Sequence, residues 1–222
     1  IRYIGHDALQ RDLDNLKAAL AGRNVVAAFV PSIAPTDVEH WHHNEYYSSQ
    51  EAYLEAIAEA MREEYEAIVN AGVLLQIDDP RLLTQYTREP DWTVDQCRRW
   101  AEERVEVLNH ALRNIPEEKI RFHTCYGINI GPRIHDLELK DIIDILMRVK
   151  AGTYSFEFAN PRHAHEWRVW RDVDLPEHKV LMPGFITQSS VLVEHPEVVA
   201  EGIEKFAGVV GRVQHRLRGH RV

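Results

Sequence analysis

Five short apolar runs, each followed by a segment with helical periodicity, predict an α/β chain built on parallel strands. Strand–helix alternation of this kind gives either an open doubly wound sheet or a barrel. Two observations favour the barrel. No Gly-x-Gly-x-x-Gly follows the first run and no Gly-Lys-Ser/Thr loop occurs, so nucleotide-binding sheets lose their main signature. Polar residues also collect at the ends of four runs: Asp78 and Asp79, His123 and Cys125, Glu157 and Asn160, Thr187 and Gln188. Strand C-terminal ends are where a β/α barrel gathers its chemistry. A closed barrel needs eight strands, so five imply a barrel that is incomplete in this chain.

The elements follow in order. Residues 25–30 (VVAAFV) form an apolar run stopped by Pro31, which reads as a buried strand. A polar, His-rich loop comes next. Ser48 with Glu51 forms a capping-box pattern that opens a helix. Leu54, Ile57, Ala58, Met61, Tyr65 and Ile68 share one face of it, and Gly72 ends it. Residues 73–77 form a strand running into Asp78-Asp79-Pro80. Thr93 with Gln96 caps a helix that runs to about residue 114. Residues 119–126 form the third strand. A helix over about 136–150 carries Ile142, Ile143, Ile145, Leu146 and Val149. Residues 153–158 are the fourth strand, and Asn160-Pro161 places an N-cap and a first-turn proline for another helix. Residues 180–186 are the fifth strand, and Pro196 opens a last helix to about Gly211.

Composition bounds the function. The 222 residues are 45% hydrophobic and 27% charged, enough for one domain with a sizeable core. The formal charge of −9 disfavours nucleic-acid binding. No apolar run approaches the roughly 20 residues of a membrane span, and the N-terminus does not read as a signal peptide. Two cysteines cannot form a disulfide framework, which suits a soluble cytoplasmic protein. The domain is expected over 1–211, with 212–222 a basic tail of four Arg, two His and no acid.

His123 and Cys125 are the sharpest pair. Residues i and i+2 of a strand face the same way, about 6.5–7 Å apart. An imidazole and a thiolate so placed can converge on a zinc ion, with Glu157 on the following strand as an oxygen donor. The alternative is a buried thiol beside a hydrogen-bonded histidine. Asp78 and Asp79 are candidate catalytic residues, able to bind a substrate amino group or act as a base, or else loop caps before Pro80. His40, His42 and His43 around Trp41, and His163 and His165, read as ordinary loop or surface histidines. Cys97 falls on an apolar helix face with Ala101, Val105 and Leu108 and is expected in the core.

These motifs together resemble a known family. Gln76-Ile77-Asp78-Asp79-Pro80 resembles the Q-I-D-E-P segment of cobalamin-independent methionine synthase, and His123-Thr124-Cys125-Tyr126-Gly127 resembles its H-x-C-Y zinc strand. Ser155-Phe156-Glu157 and Pro183-Gly184-Phe185 resemble its next two strands. The likeness runs from about residue 3 to residue 212. It implies a (β/α)8 TIM-type barrel of the methionine synthase and uroporphyrinogen decarboxylase type, with zinc as cofactor. It implies a methyl- or alkyltransferase of methionine biosynthesis type, acting on a small-molecule thiol and an alkyl donor. In that family the residue matching Asp78 holds the amino group of homocysteine.

Two departures from the family stand out. The strand after Pro183-Gly184 lacks the family's Asp and His and reads Phe185-Ile186-Thr187-Gln188-Ser189-Ser190. With Val193-Glu194-His195-Pro196-Glu197 it looks closer to the short branch that includes epoxyalkane:coenzyme M transferase. The family's last zinc ligand, a Cys, is absent as well, leaving His123, Cys125 and Glu157 as the candidates and implying weakened metal affinity. Two other readings stand beside the transferase. One is a metal-independent decarboxylase or lyase using Asp78 and a nearby Arg. The other is an inactive, incomplete barrel that self-associates through its open sheet edges as a homo-oligomer.

Overall fold

A computed structural model describes residues 1–127, 131–133, 135–187 and 191–211. Gln188 and the basic segment 212–222 lie outside the described residues. The elements run α1 (His6–Leu20), β1 (Phe29–Ile33), α2 (Pro35–Trp41), α3 (Gln50–Asn70), β2 (Leu74–Asp78), α4 (Arg81–Arg88) and α5 (Val94–Ala111). They continue with β3 (Ile120–Thr124), α6 (Ile143–Leu146), β4 (Thr153–Glu157), β5 (Val180–Gly184) and α7 (Pro196–Val210).

All five strands are parallel and lie in the order β1-β2-β3-β4-β5. A doubly wound sheet reverses direction at a switch point. This sheet has none, so it is consistent with part of a β/α barrel. Among the described residues β1 pairs only with β2 and β5 only with β4, leaving two open edges.

One face of the sheet is packed against helices. Leu75, Ile77, Ile120, Phe122, Tyr154 and Phe156 are buried there with Ile57, Tyr65 and Ile68 of α3 and Ala101, Val105 and Leu108 of α5. Cys97 joins this core. On the opposite, inner face Phe29, Ile33 and Met182 stay exposed. No helix among the described residues is long and apolar enough to cross a membrane.

Several expected boundaries move, each for a local reason. The first strand lies at Phe29–Ile33 rather than 25–30, and Val25 and Val26 are exposed. Pro31 sits inside β1 because that strand is an edge, where a missing N–H costs no ladder bond. The His-rich stretch is partly helical, since Pro35 supplies a first-turn proline for α2. The cap of α3 is Ser49, whose hydroxyl accepts from Ala52 N at 3.2 Å, and not Ser48. Thr93 and Gln96 form the expected capping box on α5.

The expected helix over 136–150 reduces to a 3₁₀ turn at Leu139–Asp141 and the single turn of α6. Ile142, at φ −140°, breaks the helical run between them. Asn160 turns the chain by accepting from Arg162 N at 3.1 Å, and a 3₁₀ segment Glu166–Arg171 follows where an α-helix was expected. Two helices carry no signal that the apolar-run reading uses: α1, which buries only Leu13, and α4, which follows directly on Pro80.

Candidate active site

Strand register brings the expected residues onto the inner face. Ile33, Asp78, His123, Ser155 and Met182 are successive partners across the five strands. One step toward the C-terminal ends, Glu157 stands opposite Gly184, and Cys125 lies just past the last residue of β3. Side chains two apart on a strand share a face, so Asp78, His123, Cys125 and Glu157 all belong to this one side. The intervening Ile77, Phe122, Thr124 and Phe156 are buried on the other side and fix that orientation, because a one-residue slip would expose them all.

The polar contacts of the site are local. The ring Nδ1 of His123 lies 3.2 Å from Ser155 Oγ. Gln76 Nε2 donates to Asp78 Oδ1 at 2.9 Å, and Thr187 Oγ1 donates to Glu157 Oε1 at 3.2 Å. Burial pushes the His123 imidazole pKa down, while the charges of Asp78 and Glu157 oppose that shift. Burial pushes the Cys125 thiol pKa up; a hydrogen bond from the Gly127 backbone opposes it and the Glu157 and Asp78 charges add to it. His123 and Cys125 therefore both feel the two carboxylates, and both are held toward their neutral forms.

Asp79 points the other way. It is 1% exposed, and its Oδ1 accepts from Thr36 Oγ1 at 2.8 Å and from the Arg81 amide at 3.2 Å. Its backbone is tied to β3 through Asp79 N to His123 O at 2.9 Å and Thr124 Oγ1 to Asp79 O at 2.7 Å. Burial is the main cause that raises its carboxyl pKa to about 7, and Oδ2 has no hydrogen-bond partner. The structure thus separates the two aspartates. Asp78 is on the inner face, while Asp79 ties α2 and β3 to the end of β2 behind it.

Zinc with an open coordination position needs three protein ligands. Among the described residues no three His, Cys, Asp or Glu side chains come close enough together to hold an ion. His123 and Cys125 supply donors of the right type on one face. Glu157, engaged with Thr187, does not complete the set.

The sequence marks Thr187 at a strand end and Ser155 within a motif, but their contacts with Glu157 and His123 depend on pairing across strands; sequence reading missed Arg121. Arg121 was legible by its spacing, two residues before His123 on the same face. Its guanidinium stacks over Phe29 at 3.9 Å, and Nη2 reaches Met182 Sδ at 3.4 Å.

His163 corrects the surface reading. It is buried, its ring stacks on Tyr126 with centroids 3.3 Å apart, and Nε2 lies 3.1 Å from Asp136 Oδ2. Asp136 also receives Arg162 Nε at 2.6 Å and Arg133 Nη1 at 3.2 Å. Glu166 accepts from Tyr126 Oη at 2.9 Å and from Leu139 N at 2.8 Å. The network fastens the segment after β3 to the segment after β4, directly beyond Cys125.

No protein-family model matches the chain. Sequence comparison does find similar proteins named methionine synthase. That of Saccharolobus islandicus (strain L.S.2.15 / Lassen #1) is 29% identical over 132 residues, which are 58% of this chain and 32% of the relative. Those of Pyrococcus horikoshii and Pyrococcus furiosus are 25% and 24% identical over 180 residues, 79% of this chain and 44% of theirs. The chain thus spans less than half the length of these relatives, and what it shares with them is a general likeness to part of the methionine synthase chain.

Proposed function

We propose that this chain carries the thiol-binding face of a methionine synthase-like alkyltransferase. The observation that supports this most directly is the strand register, which puts Asp78, His123 and Glu157 on one open face with Cys125 two residues beyond His123. The similarity to proteins named methionine synthase agrees with it. In this reading Asp78 holds the amino group of an amino-acid thiol, since a carboxylate on the open face can pair with an ammonium. His123 and Cys125 would hold the zinc, with Glu157 as the third donor once released from Thr187. The chemistry such a zinc would supply is a lowered pKa of the substrate thiol, favouring its thiolate at neutral pH. The buried wall behind the face, Phe122 and Phe156, holds the two strands in register. A coenzyme M transferase-type choice of thiol belongs to the same proposal.

Metal content of the purified protein tests it. About one zinc per chain, lost in Cys125→Ser, is the expected result. Failure to take up added zinc would sink the zinc-dependent transferase. The metal-independent lyase reading would then gain, because Arg121 shares the inner face with Asp78 and their charges interact.

A further inference from the structure

Arg121 stands on the inner face two residues before His123, between Gln76 of β2 and Thr153 of β4. It is therefore one layer below Asp78 and His123, about 6.5–7 Å along the strands. Four other arginines with mostly covered side chains are matched by carboxylates: Arg81 by Asp37, Arg104 by Glu39, and Arg133 and Arg162 by Asp136. Arg121 has no carboxylate within ion-pair distance among the described residues.

One edge of its guanidinium is short of acceptors. Nε is buried, out of reach of solvent, and has no hydrogen-bond partner. The neighbouring Nη2 lies 3.4 Å from Met182 Sδ, and a thioether is a weak acceptor. One face of the fork is covered by the Phe29 ring, 3.9 Å from its centroid. A buried donor without an acceptor is costly. A carboxylate bridging Nε and Nη2 supplies both missing bonds, in the side-on bidentate geometry that arginine forms with that group. Met182 is 36% exposed and unbranched, so it can swing aside for such a ligand.

Asp78 sets what else the ligand carries. It lies on the adjacent strand, and its Oδ1 is held by Gln76 Nε2 at 2.9 Å with no ion pair to Arg121. An α-amino acid carries its carboxylate and its ammonium on one carbon, and so can answer both charges at once. Its side chain then runs toward the C-terminal ends of the strands, where Cys125 and Glu157 stand.

We propose that Arg121 determines the substrate class of this face by binding the α-carboxylate of an amino-acid thiol whose ammonium Asp78 holds. The proposal rests on the thiol-binding reading above but on no metal.

The experiment is calorimetric titration of the intact chain in EDTA, under reducing conditions, with four probes: L-homocysteine, cysteamine, 3-mercaptopropionate and 2-mercaptoethanesulfonate. L-homocysteine should bind saturably below about 10 mM, and at least tenfold more weakly to Arg121→Gln. Arg121→Lys, which keeps the charge without the fork, should recover only part of that loss. Cysteamine lacks the carboxylate and should bind wild type and Arg121→Gln alike, which a merely structural role for Arg121 would not produce. Binding of 3-mercaptopropionate should fall in Arg121→Gln and not in Asp78→Asn. Because no metal is present, a chain that takes up no zinc can pass this test, and one that takes up zinc can fail it. The proposal is overturned by no saturable binding of L-homocysteine, by equal affinity in an Arg121→Gln protein with unchanged circular dichroism, or by 2-mercaptoethanesulfonate binding as tightly as L-homocysteine.

Discussion

Asp136 is the centre of the polar network beyond Cys125. Three basic side chains, Arg133, Arg162 and His163, converge on one half-buried carboxylate. Burial opposes its charge, but the bonds from His163, Arg162 and Arg133 prevail and hold its pKa well below the usual carboxylate range. For His163, burial opposes the proton, and the bonds to Asp136 and Glu166 raise the pKa despite it. A depressed Asp136 stabilises the fold above its unfolded pKa of about 3.9, and that contribution is lost as pH falls through the folded value. A raised His163 stabilises fully below about pH 6.5, and that contribution is lost as pH rises through its folded value. The network's own contribution, read as the difference between the wild type and Asp136→Asn in thermal melts across pH, should therefore be greatest between about pH 4 and 6.5. Asp136→Asn leaves the buried Arg133 and His163 facing a neutral amide, and a loss of about 3–5 kcal/mol in urea unfolding is expected, with a flatter acid limb. An unchanged melt in that variant would show that the network is not what holds the segment beyond Cys125.

At the scale of elements, the strand-to-helix junctions position the site, and their caps are measurable. The Thr93–Gln96 box satisfies the first amides of α5, the helix that packs behind β2 and β3. Thr93→Ala should cost about 1 kcal/mol in denaturant unfolding without altering zinc uptake. Gly152 admits the start of β4 beside the turn before β3. Its amide donates to Glu117 O at 2.6 Å, and a Cβ there would stand 2.8 Å from that same oxygen. Gly152→Ala must therefore shift backbone, and a loss of about 1–3 kcal/mol is expected. Because β4 carries Glu157, this variant should also weaken metal uptake, which the α5 cap variant should not.

Across the whole molecule the two faces of the sheet differ. Phe122→Ala, in the helix-packed core, should cost about 3–5 kcal/mol. Ile33→Gln, on the inner face, should change stability by less than about 0.5 kcal/mol if that face is open in solution. All-parallel sheets are ordinarily covered on both sides. A cost above about 2 kcal/mol for Ile33→Gln that grows with protein concentration would mean that a second copy covers the face.

The sequence by itself determined the α/β class, the parallel strands and the shared face of Asp78 and its strand partner His123. These follow from short-range periodicity: apolar runs mark the strands, and a period of two assigns the sides. It also marked Thr93, Gln96 and Cys97 correctly, because caps and apolar stripes are local signals. Only the tertiary structure decided what Asp79 does on the side away from Asp78, since its partner Thr36 is 43 residues distant. Likewise it buried His163, which has two carboxylates and a tyrosine ring gathered around it from separate segments. It moved the first strand to Phe29–Ile33, where pairing with β2 outweighs the apolar run before it. A strand's place is set by the partner that accepts its hydrogen bonds, and a buried charge by the groups that neutralise it; both lie far along the chain, beyond the reach of local pattern.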